Sequence, residues 1–314
     1  LGMLAHTGVI AVWHLGVGAF ISGMAWVADF PVRRTLLGDI AGAARLGTAM
    51  SLDTMSSSGT RMLGPLLGGV LFVVVGLDGA FFLAAGSYGL GFVILAALRT
   101  PDTQWGGEAL ESVFASVRDG FLHLAGNQPL VGILAVTIVF NVFGFPFVAM
   151  IPVIGKDVLG LDPVAVGLLA SCDGLGSFIG AFFLAAFARV RHFRYLYFYG
   201  VLVYLILAFA FSRSTEAGLS GGIMIGAGFA MAAFAAMQSA LVLLNAPEAS
   251  RRRMMGVLSV CIGTGPIGFL HLGLLADLVG TATACSIVAI EGLLVLVIVV
   301  RKWPVLLSPQ PSDI

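Results

Sequence analysis

The sequence predicts an all-α membrane protein whose helices cross a bilayer about nine times, and three observations carry that reading. Of 314 residues, 59% are hydrophobic and 10% charged, with a mean hydropathy of +1.05, whereas a soluble domain carries roughly a quarter charged residues. The apolar residues come in continuous runs rather than the two-residue alternation of a membrane barrel. Backbone polar groups in lipid have no water to bond, so such runs must be helices. Lysine and arginine, finally, alternate between loops as successive crossings require.

A span needs about 20 apolar residues. Charged or Pro/Gly-rich breaks divide the chain into segments near 8 to 29, 48 to 76, 79 to 98, 130 to 155, 164 to 188, 195 to 212, 218 to 245, 254 to 279 and 281 to 300. The longest polar interval, Arg99 to Pro129, opens with Thr100-Pro101-Asp102-Thr103-Gln104 and reads as a linker. It separates residues 1–99, a partial N-terminal bundle, from 130–303, a six-helix bundle; 100–129 is the linker and 304–314 a tail. Within the linker, Leu110, Val113, Phe114, Val117, Phe121 and Leu122 recur at helical spacing, with Glu108, Glu111, Arg118 and Asp119 on other faces. That pattern fits a helix on the membrane surface and equally one packed on the protein itself.

Counted on alternate sides of the nine segments, thirteen of the 16 Lys and Arg residues fall on one side. Lys156 and Arg213 fall on the other, and Arg61 lies within a span. Short cytoplasmic loops collect positive charge, so the linker and C-terminus are expected in the cytoplasm of a multi-pass cell-membrane protein. Zero net charge, and the lack of a basic face with interleaved aromatics, argue against nucleic acid as a partner. Cys172, Cys261 and Cys285 lie in apolar stretches without C-x-x-C spacing and read as small packing residues. The chain opens at Leu1 with neither the basic region nor the cleavage site of a signal peptide, which reads as an N-terminally incomplete chain.

The second segment carries Gly64-Pro65-Leu66-Leu67-Gly68-Gly69 and the eighth Gly265-Pro266-Ile267-Gly268. Each follows a glycine-rich helix and an arginine-bearing loop, so a unit recurs with a six-helix period, and three more helices would complete two sixes. In Gly64 to Gly69 the chain resembles the antiporter motif in the fifth helix of the major facilitator superfamily. In Asp29-Phe30-Pro31-Val32-Arg33-Arg34 and Met62-Leu63-Gly64-Pro65 it resembles the branch that includes siderophore, drug and metabolite exporters. The resemblance implies a major-facilitator-like bundle of twelve helices, of which the fourth to twelfth are visible. It also implies a secondary transporter that needs no cofactor, uses protons as coupling ion and acts as a monomer. The family's second-half loop motif is only partly present: Arg189, Arg191 and Arg194 stand there without a Gly-x-x-x-Asp lead.

A phosphate-binding Walker loop needs Gly-Lys before Ser or Thr, and Lys156-Asp157 and Lys302-Trp303 do not supply it. An ion gradient is therefore the expected energy source. Ionisable residues inside a membrane cost roughly 2.5–3.5 kcal/mol on insertion scales and mark functional candidates. Asp173 is the candidate proton carrier or cation contact, and Arg61 its charge partner or an anion contact; structural pairing is the alternative for both. Asp53 and Arg61 lie about 80° and roughly 12 Å apart on one helix, so each is expected to find another partner. Glu291 reads as structural or lipid-facing. His14 and His271 could titrate near neutral pH but equally serve as helix-packing hydrogen bonders. Asn141 and Gln238 are candidate cavity residues, and Phe140, Phe143, Phe145 and Phe147 around Pro146 suit an amphipathic ligand or packing. Pro65 should kink its helix, while Gly64, Gly68 and Gly69 should admit a close neighbour and tolerate bulk poorly.

Three pattern matches are set aside. Gly263-Thr264-Gly265-Pro266-Ile267-Gly268 fits a nucleotide fingerprint but follows no strand, and the histidines show no metal-site spacing. Gly218-Leu219-Ser220-Gly221-Gly222 fits a hydrolase elbow, which makes an intramembrane serine protease using Ser220 and His271 the enzyme alternative. The expected function is proton-coupled efflux of a small amphipathic solute by alternating access. The non-enzyme alternative is a truncated remnant or membrane partner that does not transport.

Overall fold

The computed structural model describes residues 1–97, 124 and 126–310. The linker stretch read as an amphipathic helix lies outside the described residues. After a short helix α1 (Gly2–His6), the helical run α2 (Val12–Ala97) covers 86 residues. Straight, it would be about 130 Å long against a hydrocarbon core of ~30 Å. Gly42 and Gly76 interrupt it at φ 66° and 74°, a left-handed conformation that only glycine adopts readily. The run therefore has three legs, residues 12–41, 43–75 and 77–97.

Next come α3 (Gln128–Val139), a π-turn (Phe140–Gly144), a 3-10 stretch (Phe145–Met150) and α4 (Ile151–Asp157). Pro146 explains the irregularity, since it offers no N–H to the carbonyl of Val142 four residues back. That carbonyl instead faces Gly268, where a Cβ would fall on it. Five further helices follow: α5 (Pro163–Phe187), α6 (Phe193–Arg213), α7 (Ala217–Asn245), α8 (Arg251–Ile262) and α9 (Gly265–Val279). The last is α10 (Thr281–Lys302). Asp162 caps α5 by accepting from the N–H groups of Val164 and Ala165 at 2.8 and 3.0 Å, with Pro163 at the first helical position.

Seven helices among the described residues are long and apolar enough to cross a membrane: Val74–Ile94, Gln128–Asp157, Val164–Phe187, Val190–Arg213, Ala217–Asn245, Arg253–Val279 and Thr281–Lys302. They correspond to the third through ninth anticipated segments. The first and second are helical within α2 but are not among the seven. The second holds Ser51, Thr54, Ser56, Ser57, Ser58 and Thr60 beside Asp53 and Arg61, which lowers its hydropathy. The eighth is broken at Gly263 and Thr264, because Pro266 at the start of α9 cannot continue the hydrogen-bond ladder of α8.

The chain forms two compact units. One comprises Leu1–Asp29 with Gly64–Ala115, the other Phe30–Leu63 with Ser116–Ile314. In the first, His6 meets Asp78 at 2.9 Å and Gly2 lies against Phe81 and Phe82. The second holds the core around α7, the most enclosed span, 89% buried in its most apolar stretch. The tail folds onto this unit: Leu306 is fully buried, Trp303 donates to Gln128 at 2.9 Å, and the Gln310 N–H donates to the Arg191 carbonyl at 3.1 Å.

Candidate functional site

Asp173 lies in α5, its side chain 8% exposed, with the Arg61 guanidinium 3.9 Å from Oδ2. Arg61 comes from the second leg of α2 and donates to Ser177 Oγ at 3.2 Å. Ser177 in turn shares a 2.7 Å hydrogen bond with Ser58. Helical periodicity builds this square: Asp173 and Ser177 are four residues apart on α5, Ser58 and Arg61 three apart on α2, so each pair shares a face. Met231 Sδ of α7 lies 3.5 Å from the guanidinium. Asp173 Oδ1 and the Tyr204 hydroxyl of α6 are buried without a hydrogen-bond partner among the described residues.

Glycines bring the backbones together around the square. A Cβ at Gly228 would fall on the Asp173 carbonyl, one at Gly176 on the Ile225 carbonyl, and one at Gly180 would lie 2.9 Å from the Phe229 carbonyl. On the other side of α5, a Cβ at Gly174 would lie 2.8 Å from Met62 Cα. Small residues permit this approach, and dispersion between the closely apposed backbones holds it in lipid.

A second charged cluster joins Asp53 to Arg33 and Arg34. Arg33 pairs with Oδ1 and Arg34 Nε reaches Oδ2 at 3.1 Å. Arg34 also donates to the Ala235 carbonyl at 2.9 Å and to Ser239 Oγ at 2.8 Å, both on α7, and its guanidinium sits 4.7 Å from the Phe30 ring centre. Burial, with Arg33 beside it, pulls Arg34 down to about 9, still charged at neutral pH. The Asp53 carboxylate and the α7 acceptors compensate that burial.

Asn141 and Gln238 enter a buried network rather than standing alone. Gln238 donates to Thr137 Oγ1 at 3.1 Å, Asn141 to the Thr137 carbonyl at 2.9 Å, and Thr137 Oγ1 meets the Tyr197 hydroxyl at 2.8 Å. Phe140 stacks on Phe234 at 4.0 Å and Phe147 meets Phe211 edge-on at 5.2 Å, placing both in the core. Phe145 meets Phe269 at 5.9 Å, and Phe143 lies 6.5 Å from the His271 ring. His271 bonds Glu291 at 2.7 Å, both side chains more than a third exposed.

His14 belongs to the other compact unit, where it accepts from the Ala11 N–H at 2.9 Å. Ser220 is buried and donates to Ser214 Oγ at 2.9 Å; among the described residues no hydrogen bond joins it to His271. At the motif glycines, a Cβ on Gly64 would meet nothing within 4 Å among the described residues, so close packing is not seen there. A Cβ at Gly265 would lie 4.0 Å from the Asn141 carbonyl, whereas one at Gly268 would lie 2.7 Å from Pro146 Cγ, so that glycine is closely packed. The surroundings of Pro65, Gly68 and Gly69 lie outside the described residues. A cavity of about 840 Å³ opens at the arginine-bearing end, between residues 38–46 and the end of α7. Asp39, Asn245, Glu248 and Arg251 line it, and Asp173 and Arg61 do not.

Sequence reasoning missed Ser58, Ser177, Tyr204, Arg34 and Ser239. The i+3 and i+4 spacing to Arg61 and Asp173 was the available signal for the two serines; Arg34 stood in the Asp29-to-Arg34 motif without a role assigned to it, and nothing local marked Tyr204 or Ser239.

This architecture, apolar helices joined across close glycine contacts with charged groups held between them, is that of a multi-pass membrane protein. A family model for the Major Facilitator Superfamily matches residues 1–268. The chain belongs to that superfamily of transporters. No curated protein matches it.

Proposed function

We propose that the chain is a secondary active transporter that expels a small amphipathic solute by proton-coupled alternating access, with its arginine-bearing loops on the cytoplasmic side of the cell membrane. The observation that carries the reading is the Asp173–Arg61 pair. It joins the second leg of α2 to the membrane-spanning α5 and leaves one carboxylate oxygen without a hydrogen-bond partner among the described residues. An ionisable group held there at a cost of roughly 2.5–3.5 kcal/mol calls for a function.

In this scheme, protonation of Asp173 ends its attraction to Arg61 and loosens, without breaking, the contact between the second leg of α2 and α5; deprotonation restores it. Arg61 keeps its bond to Ser177 in both states, so the guanidinium remains positioned. Asp53, paired with two arginines, acts as a fixed anchor. Phe143 and Phe145, only partly buried beside Pro146, supply apolar surface for the solute.

The test is efflux of a hydrophobic dye from vesicles under an imposed pH gradient, using protein expressed from its complete reading frame. Gradient-driven efflux that disappears in Asp173→Asn at unchanged protein level is the expected result. Efflux unaffected by the substitution assigns Asp173 to structure, and no efflux across a broad panel of solutes supports the non-transporting reading.

A further inference from the structure

The outer faces of α6 and α7 carry apolar residues at matched helical spacing. On α6, Tyr195, Tyr199 and Val203 follow one another at four-residue steps, and Tyr195 and Tyr199 stack at 6.5 Å. The facing part of α7 is small, with Gly226, Ala230 and Ala233. Gly200 lets the helices meet, since a Cβ there would lie 2.8 Å from the Ala230 carbonyl. Large residues beside small ones leave a groove of about 460 Å³, within the range of small-molecule pockets. Tyr199 and Phe229, at 48% and 44% exposure, stand along its open side. From His192 to Val203 it extends about 16 Å along the helix, close to half of a ~30 Å hydrocarbon core.

One end of the groove is charged. His192 lines it and accepts a 3.0 Å hydrogen bond from Arg191 Nε. Arg189 and Arg191 are both exposed, and no carboxylate among the described residues pairs with either. Arg194, by contrast, turns inward to Ser308 and Asn245, each at 3.1 Å. An apolar channel one leaflet deep, ending at cations with no carboxylate partner among the described residues, matches a molecule with a hydrocarbon tail and an anionic head. Basic sites at the ends of membrane helices bind lipid headgroups on this principle.

We propose that this groove is a binding site for an anionic phospholipid, one acyl chain lying between α6 and α7 and its phosphate held by Arg191 with Arg189. The site lies on a different pair of helix faces from the Asp173–Arg61 pair and does not depend on the transport reading.

The test is native mass spectrometry of the purified full-length protein, titrated with phosphatidylglycerol or phosphatidylcholine. The wild type should retain one phosphatidylglycerol in preference to phosphatidylcholine. Arg189→Gln with Arg191→Gln should weaken that retention roughly 30-fold, the loss of two interfacial charges. Val203→Trp, at a 42% exposed position where the larger ring fills the groove without entering the core, should also release the lipid. Ile206→Trp, 47% exposed on α6 and outside the groove, should not. Equal retention of the two lipids would overturn the proposal. So would an equal loss in Arg301→Gln with Lys302→Gln, which would assign the effect to surface charge alone. Retention unchanged by Val203→Trp would overturn the acyl-chain placement.

Discussion

Asp53 meets two guanidiniums, one at each carboxylate oxygen, and the second of these is tied onward to Ala235 and Ser239. Asp173 meets one guanidinium at 3.9 Å and leaves its other oxygen without a partner among the described residues. Both carboxyl side chains are almost fully enclosed, at 6% and 8% exposure, so burial does not distinguish them. Compensation does. A buried anion satisfied on both oxygens holds its surroundings in one arrangement, whereas one held loosely by a single, partly exposed cation can gain or lose a proton with less disruption. The proposed scheme accordingly makes Asp53 the anchor and Asp173 the moving part.

The contrast can be broken experimentally, beginning with the backbone contact behind Asp173. Gly228→Val places a side chain on the Asp173 carbonyl and should cost more than about 4 kcal/mol, the range of severe core defects. It is read as loss of monodisperse folded protein on size exclusion. Gly64→Ala, with nothing within 4 Å among the described residues, should stay within about 1 kcal/mol; a larger loss would mean that the motif glycine is closely packed.

Asp53→Asn comes next. It leaves the buried Arg34 short of its counter-charge and should destabilise by about 3–5 kcal/mol, measured by chemical unfolding in detergent. A loss below about 1 kcal/mol would erase the distinction between the two carboxylates. Ser177→Ala removes hydrogen bonds to Arg61 and Ser58 and should cost about 1 kcal/mol, with a lower rate of gradient-driven efflux because the guanidinium is no longer steadied.

Asp173→Asn should have a smaller effect on stability than Asp53→Asn, within about 1 kcal/mol, because Arg61 is 41% exposed and water takes over its solvation. Its consequence should appear in transport instead: dye efflux should lose its dependence on the pH gradient. A variant that unfolds as readily as Asp53→Asn would place Asp173 among the anchors.

Much of this molecule was legible along the chain because helix formation and membrane spanning are local properties. Run length marked the segments and Pro146 the irregular helix. The spacing of Asp53 and Arg61 on one helix was enough to separate them and send each to another partner. Which partner each took was decided only by tertiary structure. Asp53 found Arg33 and Arg34 across the turn at Gly42, and Arg61 found Asp173 on a helix more than a hundred residues away. The second meeting depends on Gly174 letting α5 approach Met62, while Gly176, Gly180 and Gly228 hold α5 against α7 where a Cβ would keep them apart. Periodicity tells which face of a helix a residue occupies, but the neighbour that face meets is set by the packing of distant segments.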